Sequence, residues 1–127
     1  MTTEVFDAKL AQWQAWCEAP WGRLRFAVVR ETLRRQAEAL GAAGGGLRVL
    51  DVGGGDARDA LALAEAGHHV TVFDPSPSWL AVARGRAEQA GVLDLLDTVE
   101  GSVEDLSAVD ADYDLVLYHF VLHYRPA

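Results

Sequence analysis

LRVLDVGGGD, residues 47–56, joins an apolar, β-branched run to three consecutive glycines. An apolar run of this length, bounded by glycine, is typical of a buried strand in a parallel sheet. The glycines let the backbone turn tightly into a following helix. Because Gly53 and Gly55 have no side chains, a ligand can approach the main-chain N–H groups closely. The segment therefore predicts a strand, a turn and a helix that together form a ligand site.

The residues around the glycines indicate which kind of ligand this site prefers. A dinucleotide-binding loop has the pattern G-x-G-x-x-G, and its third glycine is missing here because Asp56, Ala57 and Arg58 follow the triplet. The acids Asp51 and Asp56 would repel a pyrophosphate, but they suit a ligand that carries an ammonium or sulfonium charge. The alternative is a glycine-rich turn beside a solvated carboxylate.

Composition limits the class of protein. The chain has 127 residues and 50% hydrophobic residues, which predicts one domain, residues 1–127, with a sizeable core. A net charge of −8 argues against binding nucleic acid through the overall field of the chain, since such binding depends on neutralising phosphates. The charge is uneven, with a net +1 over residues 1–46 and −9 over residues 47–127.

The location of the protein is also constrained by the sequence. Cys17 is the only cysteine, so no disulfide can form within the chain. No apolar run is long enough to cross a membrane, and the N-terminal residues lack the basic and apolar regions of a signal peptide. We therefore expect a cytoplasmic protein with no membrane partner.

Two helices are expected before the first strand. The first has apolar residues on one side, at Leu10, Trp13 and Trp16. Pro20 and Gly22 are expected to end it. The second helix has apolar residues at helical spacing, at Phe26, Val29, Leu33 and Leu40. It also has basic residues on one face, at Arg23, Arg30 and Arg34, a pattern more typical of a solvated face than of a binding patch. Residues 41–46 form a flexible connector.

The rest of the chain alternates strands and helices. A helix over residues 57–66 is followed by a strand that ends at Asp74, and Pro75 to about Ala90 form the next helix. Residues 97–100 and 113–118 are the third and fourth strands. Strand, helix and strand without a hairpin signal form a βαβ unit, so the predicted fold class is α/β with a parallel sheet.

Asp74 adds a second ligand signal. It stands 21 positions after Gly53, at the end of the second strand. A carboxylate at this point can accept hydrogen bonds from both hydroxyls of a ribose, and the alternative is an N-cap for the following helix. Together, the glycine turn and this acid favour a nucleoside-type ligand.

These segments resemble successive motifs of class I S-adenosylmethionine-dependent methyltransferases, at residues 48–56, 66–74 and 112–124. The N-terminal Gly22-Arg23-Leu24-Arg25, with residues 47–51, is similar to bacterial tRNA methyltransferases that methylate the carboxymethoxy group on wobble uridine. The resemblance implies a Rossmann-like, doubly wound parallel sheet with two N-terminal helices. Residues 1–46 are then the helices and connector, and residues 47–127 an incomplete core, truncated after the fourth strand.

The resemblance also implies a site for the methyl donor, S-adenosylmethionine. Gly53 and Gly55 would lie against its amino acid end, with Asp51 positioning the loop or reaching the ammonium through water. Asp74 would bind the ribose. Arg25 would clamp the carboxylate in bidentate geometry, the alternative being an exposed helix arginine.

Further family positions concern the adenine and the methyl group. Trp79 matches a large apolar residue packed on adenine, and its alternative is a core position. Ser102, Val103 and Glu104 match the loop at the adenine edge, although many members have Asp at the Ser102 position. His119 matches the place where the acceptor meets the methyl group, and a histidine that fills the strand end is the alternative.

The implied chemistry requires few side chains. The methyl group is already activated, so alignment and exclusion of water suffice for a carboxylate acceptor, and we assign no catalytic residue and no metal site. The acceptor is not determined, and a tRNA-linked group is one candidate. The alternatives are a donor-binding module or fragment without transferase activity, and a nicotinamide-dependent oxidoreductase. Residues 113–124 would be an exposed apolar edge, which predicts a homodimer through the fourth strand.

Overall fold

The computed structural model describes residues 11–12, 14–42, 44–53, 57–102, 104 and 112–118. Residues 11–12 and 14–18 are helical and precede the first long helix. The elements that follow are α1 (Pro20–Ala39), β1 (Arg48–Val52), α2 (Arg58–Glu65), β2 (His69–Asp74), α3 (Pro77–Gln89), a short 3₁₀ helix (Leu93–Leu95), β3 (Leu96–Glu100) and β4 (Leu115–Tyr118). Leu10 and Trp13, predicted for the first helix, lie outside the described residues.

The four strands form one parallel sheet in the order β3-β2-β1-β4. Asp51 of β1 lies opposite Val72 of β2 on one side and Leu117 of β4 on the other. Because β2 and β3 lie on one side of β1 and β4 lies on the other, the strand order reverses between β1 and β4. In open α/β sheets, ligands bind at the carboxyl ends of the strands beside such a reversal. The predicted α/β fold with a parallel sheet is confirmed.

The core lies mainly on the helix-covered face of the sheet. Successive strand residues point to opposite faces, and Val49, Val70 and Val72 point toward α1, α2 and α3. Alanines at Ala60, Ala64, Ala83 and Ala87 are completely buried, which lets α2 and α3 lie close to the strands. The opposite face has a smaller apolar cluster of Leu50, Val52 and Phe73, with Val99 and Tyr113 packed against it.

Gly22 does not end the first helix, contrary to the prediction. The break lies at Ala19, and Pro20 occupies the first turn of α1, where a missing N–H costs nothing. Gly22 is buried inside α1, and a Cβ added there would overlap the carbonyl oxygen of Trp16. Here glycine permits a close helix contact and does not break the helix.

Other boundaries also differ from the prediction. The second helix of the prediction buries Phe26 and Leu33, but Leu40 is 52% exposed because α1 ends one residue earlier. The connector is also less free than expected, since the N–H of Gly46 donates to the carbonyl of Gly67. Arg34 is exposed and pairs with Glu31 and Glu38, as a solvated face predicts. Among the described helices, none has the length and apolarity needed to cross a bilayer.

Candidate functional site

The glycine turn follows directly on β1. Gly53 has a φ of 73°, a conformation that residues with a side chain adopt only with strain. Its N–H donates to the carbonyl of Phe73 at 2.7 Å, which ties the turn to the end of β2. Ala57, completely buried before α2, is also left-handed at a φ of 66°, at a cost of about 1–2 kcal/mol. Strained residues of this kind cluster at ligand sites. Gly55 lies outside the described residues.

Two carboxylates are buried at this edge of the sheet. Asp51 is 2% exposed in β1, and Asp74 is 3% exposed at the end of β2. Aspartates are seldom buried this deeply without polar partners, because removing a charge from water is costly. Asp74 Oδ1 accepts a hydrogen bond from the Ser76 N–H at 2.9 Å. The two acids therefore lie near the carboxyl ends of neighbouring parallel strands, Asp51 two residues before Gly53 and Asp74 next to Phe73, to which Gly53 bonds.

Asp74 is not the N-cap of the next helix, which was the alternative interpretation. Ser76 caps α3 instead, since its Oγ accepts from the Trp79 N–H at 3.3 Å. The helix consequently begins at Pro77, two residues later than predicted. Asp74 fixes the turn before the cap through the Ser76 N–H.

Arg25 connects α1 to the helix that follows the glycine turn. Its Nη1 donates to both carboxylate oxygens of Asp59, each at 2.9 Å. The two side chains are only 20% and 11% exposed, so Arg25 is not the exposed helix arginine of the alternative interpretation. The guanidinium also lies 4.5 Å from the ring centroid of Phe26. Arg25 is thus held beside the first turn of α2, and a role as carboxylate clamp stays a prediction.

Asp59 was not predicted as a site residue. One signal was available, because an acid in the first turn of a helix favours the helix N-terminus. Its pairing with Arg25 could not be read from the sequence, since the two residues are 34 positions apart and meet only through the packing of α1 on α2.

The residues predicted to surround adenine occupy different environments. Trp79 is 7% exposed in the first turn of α3, although it belongs to neither apolar cluster. Ser102 is half-buried and Glu104 is exposed, both just after β3. The Gly101 N–H donates to the carbonyl of Asp74 at 3.1 Å, so the chain after β3 starts beside this acid. Val103 and His119 lie outside the described residues, and all the adenine contacts stay predictions.

The arrangement brings together Asp51, Gly53, Asp74 and the segment that begins at Gly101, all at the carboxyl edge of the sheet. Two buried carboxylates make this edge unfavourable for a phosphate and favourable for hydroxyls or a cationic group. The described part of the chain holds no group of three or more His, Cys, Asp or Glu residues that could bind a metal ion.

The chain is similar to known proteins in sequence. A family model described as a methyltransferase domain matches residues 49–127. The tRNA 5-carboxymethoxyuridine methyltransferase of Escherichia coli K12 is 35% identical over 104 residues, which cover 81% of this chain and 39% of the relative. A ubiquinone/menaquinone biosynthesis C-methyltransferase of Brucella anthropi is 39% identical over 80 residues, 61% of this chain and 30% of that protein. The chain therefore spans about two fifths of the length of the first relative and less than a third of the length of the second.

Solved structures agree on the fold. One from Methanococcus maripaludis, described as an S-adenosyl-L-methionine-dependent methyltransferase, matches with a TM-score of 0.65 at 19% identity, covering 80% of this chain and 46% of that one. The [4+2]-cyclase SpnF matches with a TM-score of 0.63 at 23% identity, covering 78% and 35% of the two chains. Because a cyclase shares it, the fold alone does not specify methyl transfer. The family model matches more than half of the sequence, however, and the chain belongs to the methyltransferase-domain family with the Rossmann-like fold of class I S-adenosylmethionine-dependent methyltransferases.

Proposed function

We propose that this protein binds S-adenosylmethionine at the carboxyl edge of β1 and β2 and takes part in transfer of its methyl group. The observation that carries the proposal is the pair of buried acids, Asp51 and Asp74, near the carboxyl ends of the two adjacent strands that the positive-φ turn at Gly53 connects by a hydrogen bond. A nucleoside with a charged amino acid end has both groups that such a site can bind: ribose hydroxyls and an ammonium.

Each proposed role follows from position and chemistry. Asp74 accepts hydrogen bonds from the ribose hydroxyls, because a carboxylate has two oxygens and can accept several hydrogen bonds at once. Gly53 leaves room for the amino acid end against the backbone, and Asp51 holds the turn or reaches the ammonium through water. Arg25 binds the donor carboxylate and shares its charge with Asp59.

The remaining proposed contacts surround the adenine and the methyl group. Trp79 packs on the base, and Ser102, Val103 and Glu104 bound its edge. Gly55 continues the backbone cradle, and His119 lies at the methyl end. S-adenosylmethionine supplies an activated methyl group when bound. The residues of the chain need only align that group and exclude water, so none is assigned as acid or base.

For the acceptor, we propose a carboxylate on a tRNA-linked group. Support comes from the Escherichia coli relative, whose name specifies a carboxymethoxyuridine in tRNA. For the whole protein, we also propose a cytoplasmic location and a homodimer, on the sequence grounds given above.

Radiolabelled methyl transfer to tRNA, compared with transfer to small carboxylic acids, tests the proposed acceptor. The second candidate function is donor binding without transfer, which this assay would reveal as binding with no labelled product.

Donor binding has a direct test at Asp74. Asp74→Asn keeps an acceptor for the Ser76 N–H but removes the charge, so we expect S-adenosylhomocysteine to bind roughly tenfold more weakly or worse, a loss of about 1.5–3 kcal/mol. Gly53→Val should obstruct binding directly. Asp97→Asn is the matched control, because this acid is 66% exposed and pairs with His69. Titration calorimetry measures the affinities. Wild-type affinity in a folded Asp74→Asn variant would refute the site, as would a thermal shift produced by NAD and not by S-adenosylmethionine.

A further inference from the structure

A separate cavity of about 270 Å³ lies between α1, α2 and α3. Arginines from all three helices line it: Arg23 and Arg30 from α1, Arg58 from α2 and Arg86 from α3. Among the described residues that line it, none is proposed for donor binding. The cavity therefore calls for an explanation beyond the donor site.

The charge of this cavity differs from that of the chain as a whole. The protein carries a net charge of −8, yet the described residues of the cavity wall include four arginines and two acids, Glu18 and Glu65. Glu18 lies 3.3 Å from Arg58 and is 70% exposed, so water weakens this pair. Among the described residues of the wall, basic side chains therefore outnumber acidic ones in a protein that is acidic as a whole.

Arg23 and Arg30 differ from the other arginines of α1. Outside the cavity, Arg34 and Arg35 both pair with Glu31, which neutralises them locally, and this contact lowers the pKa of Glu31 to about 2. The side chains of Arg23 and Arg30 make no hydrogen bond or ion pair with any residue that the structure describes. Both residues line the cavity and are exposed, so their guanidinium donors are available to a ligand.

Converging guanidinium groups repel one another unless an anion lies between them, and their planar donor geometry matches phosphate oxygens. Phe26, Leu61 and Ala62 form an apolar part of the wall, which is available to contact the molecule that carries the phosphate. At about 30 Å³ for each water, the volume equals about nine waters, enough for a phosphate group and part of the molecule that carries it. We propose that this cavity, the arginine cavity, binds a phosphate group.

Two sources of that phosphate share the same chemistry: a free phosphorylated small molecule, or a backbone phosphate of an RNA. Only the RNA source rests on the proposed function, because it requires the tRNA-linked acceptor. Phosphate binding by the arginine cavity is independent of the donor site and can be measured without methyl transfer.

Calorimetric titration with inorganic phosphate and with pyrophosphate, at fixed low ionic strength, tests the site. We expect saturable binding that weakens about tenfold in Arg30→Gln, because a charge-assisted contact is lost. Arg35→Gln is the matched control, since this α1 arginine is 75% exposed and outside the cavity. If Arg30→Gln alters the unfolding midpoint, Arg23→Gln replaces it. No saturable binding of either probe, or equal weakening in the Arg30 and Arg35 variants, would overturn the proposal.

A short single-stranded RNA separates the two sources. If backbone phosphate is the ligand, the RNA should bind, compete with pyrophosphate and lose affinity in Arg30→Gln. If a small molecule is the ligand, pyrophosphate should bind and the RNA should not displace it. S-adenosylhomocysteine should bind Arg30→Gln as it binds wild type, so failure of the arginine cavity and failure of the donor site give different results.

Discussion

His68 is a buried ionisable residue whose surroundings favour its neutral form. It is 1% exposed, and its Nδ1 accepts a hydrogen bond from the Leu47 N–H at 3.2 Å, at the entrance to β1. Burial lowers the pKa of the imidazole from its usual value near 6.5. A proton on Nδ1 would abolish this hydrogen bond and place two donors against each other.

The stability of the fold should therefore depend on pH through His68. Below about pH 6.5 the unfolded chain takes up a proton that the folded chain resists, so the free energy of unfolding falls as the pH drops toward the lowered pKa. His68→Asn keeps an acceptor near the Nδ1 position but cannot titrate. We expect this variant to lose less stability than wild type between pH 7 and pH 5 in urea unfolding. Equal losses in both proteins would contradict the prediction.

Trp79 should report donor binding by fluorescence. If its indole contacts adenine, adding S-adenosylhomocysteine should change tryptophan emission, and Trp79→Phe should remove most of that change while weakening binding. Phenylalanine is preferable to alanine here, because Trp79 is buried and truncation to alanine would cost about 3–5 kcal/mol. Trp21→Phe is the control, at a tryptophan that is 62% exposed. A signal that persists in Trp79→Phe would make Trp79 a core residue.

At the level of single residues, the sequence predicted where chemically important side chains lie better than it predicted which residues they contact. Asp74 was predicted as an acceptor at the end of a strand, and it lies there, buried. Its bond to the Ser76 N–H was not foreseen. Asp74 and Ser76 can both cap a helix, and the sequence does not show which of the two does so. The Arg25–Asp59 pair could not be predicted at all, since it depends on how α1 crosses α2.

At the level of elements, the strands were predicted closely, while the α1 boundary was not. Apolar runs and glycine stops mark the strands and the ends of α2 and α3 locally. Gly22 was misread because its role depends on a non-local contact. It lies where the backbone of residues 16–17 meets α1, and the same glycine signal in an isolated helix would indicate a break.

Two helical glycines should consequently respond to alanine in opposite ways. In Gly22→Ala the new Cβ would overlap Trp16 backbone and lie 2.9 Å from Cys17 Cα, so we expect a loss of about 1–3 kcal/mol from overpacking. At Gly85, inside α3, no described atom beyond the adjacent residues and the backbone of the helix itself lies within 4 Å of a new Cβ. Gly85→Ala should gain about 0.5–1 kcal/mol because glycine is a poor helix former. Urea unfolding of both variants measures this. A gain in Gly22→Ala would show that residues 16–17 do not pack on α1 as described.

At the level of the whole molecule, the sheet has two unequal faces. The helices cover the face that contains Val49 and Leu117. On the other face, Val116 and Tyr118 of β4 are 54% and 45% exposed. Within the described chain, β4 pairs with β1 alone, and residues 119–124 of the predicted edge lie outside it. An apolar strand that is paired on one side and exposed on one face favours association with another chain.

We therefore expect a homodimer in which β4 lies at or near the two-fold axis. A charge at Val116 would have to be buried in that contact, so Val116→Lys should dissociate the dimer. Asp51 and Asp74 should not be disturbed, because Val116 is on the opposite face of the sheet from Asp51. Val28→Lys is the matched control, because this valine is 58% exposed on α1 and the dimer should persist. Light scattering at micromolar concentration measures the mass against a monomer of 13.7 kDa. A wild-type monomer would contradict the dimer, and a dimeric Val116→Lys variant would show that the two copies meet on another surface.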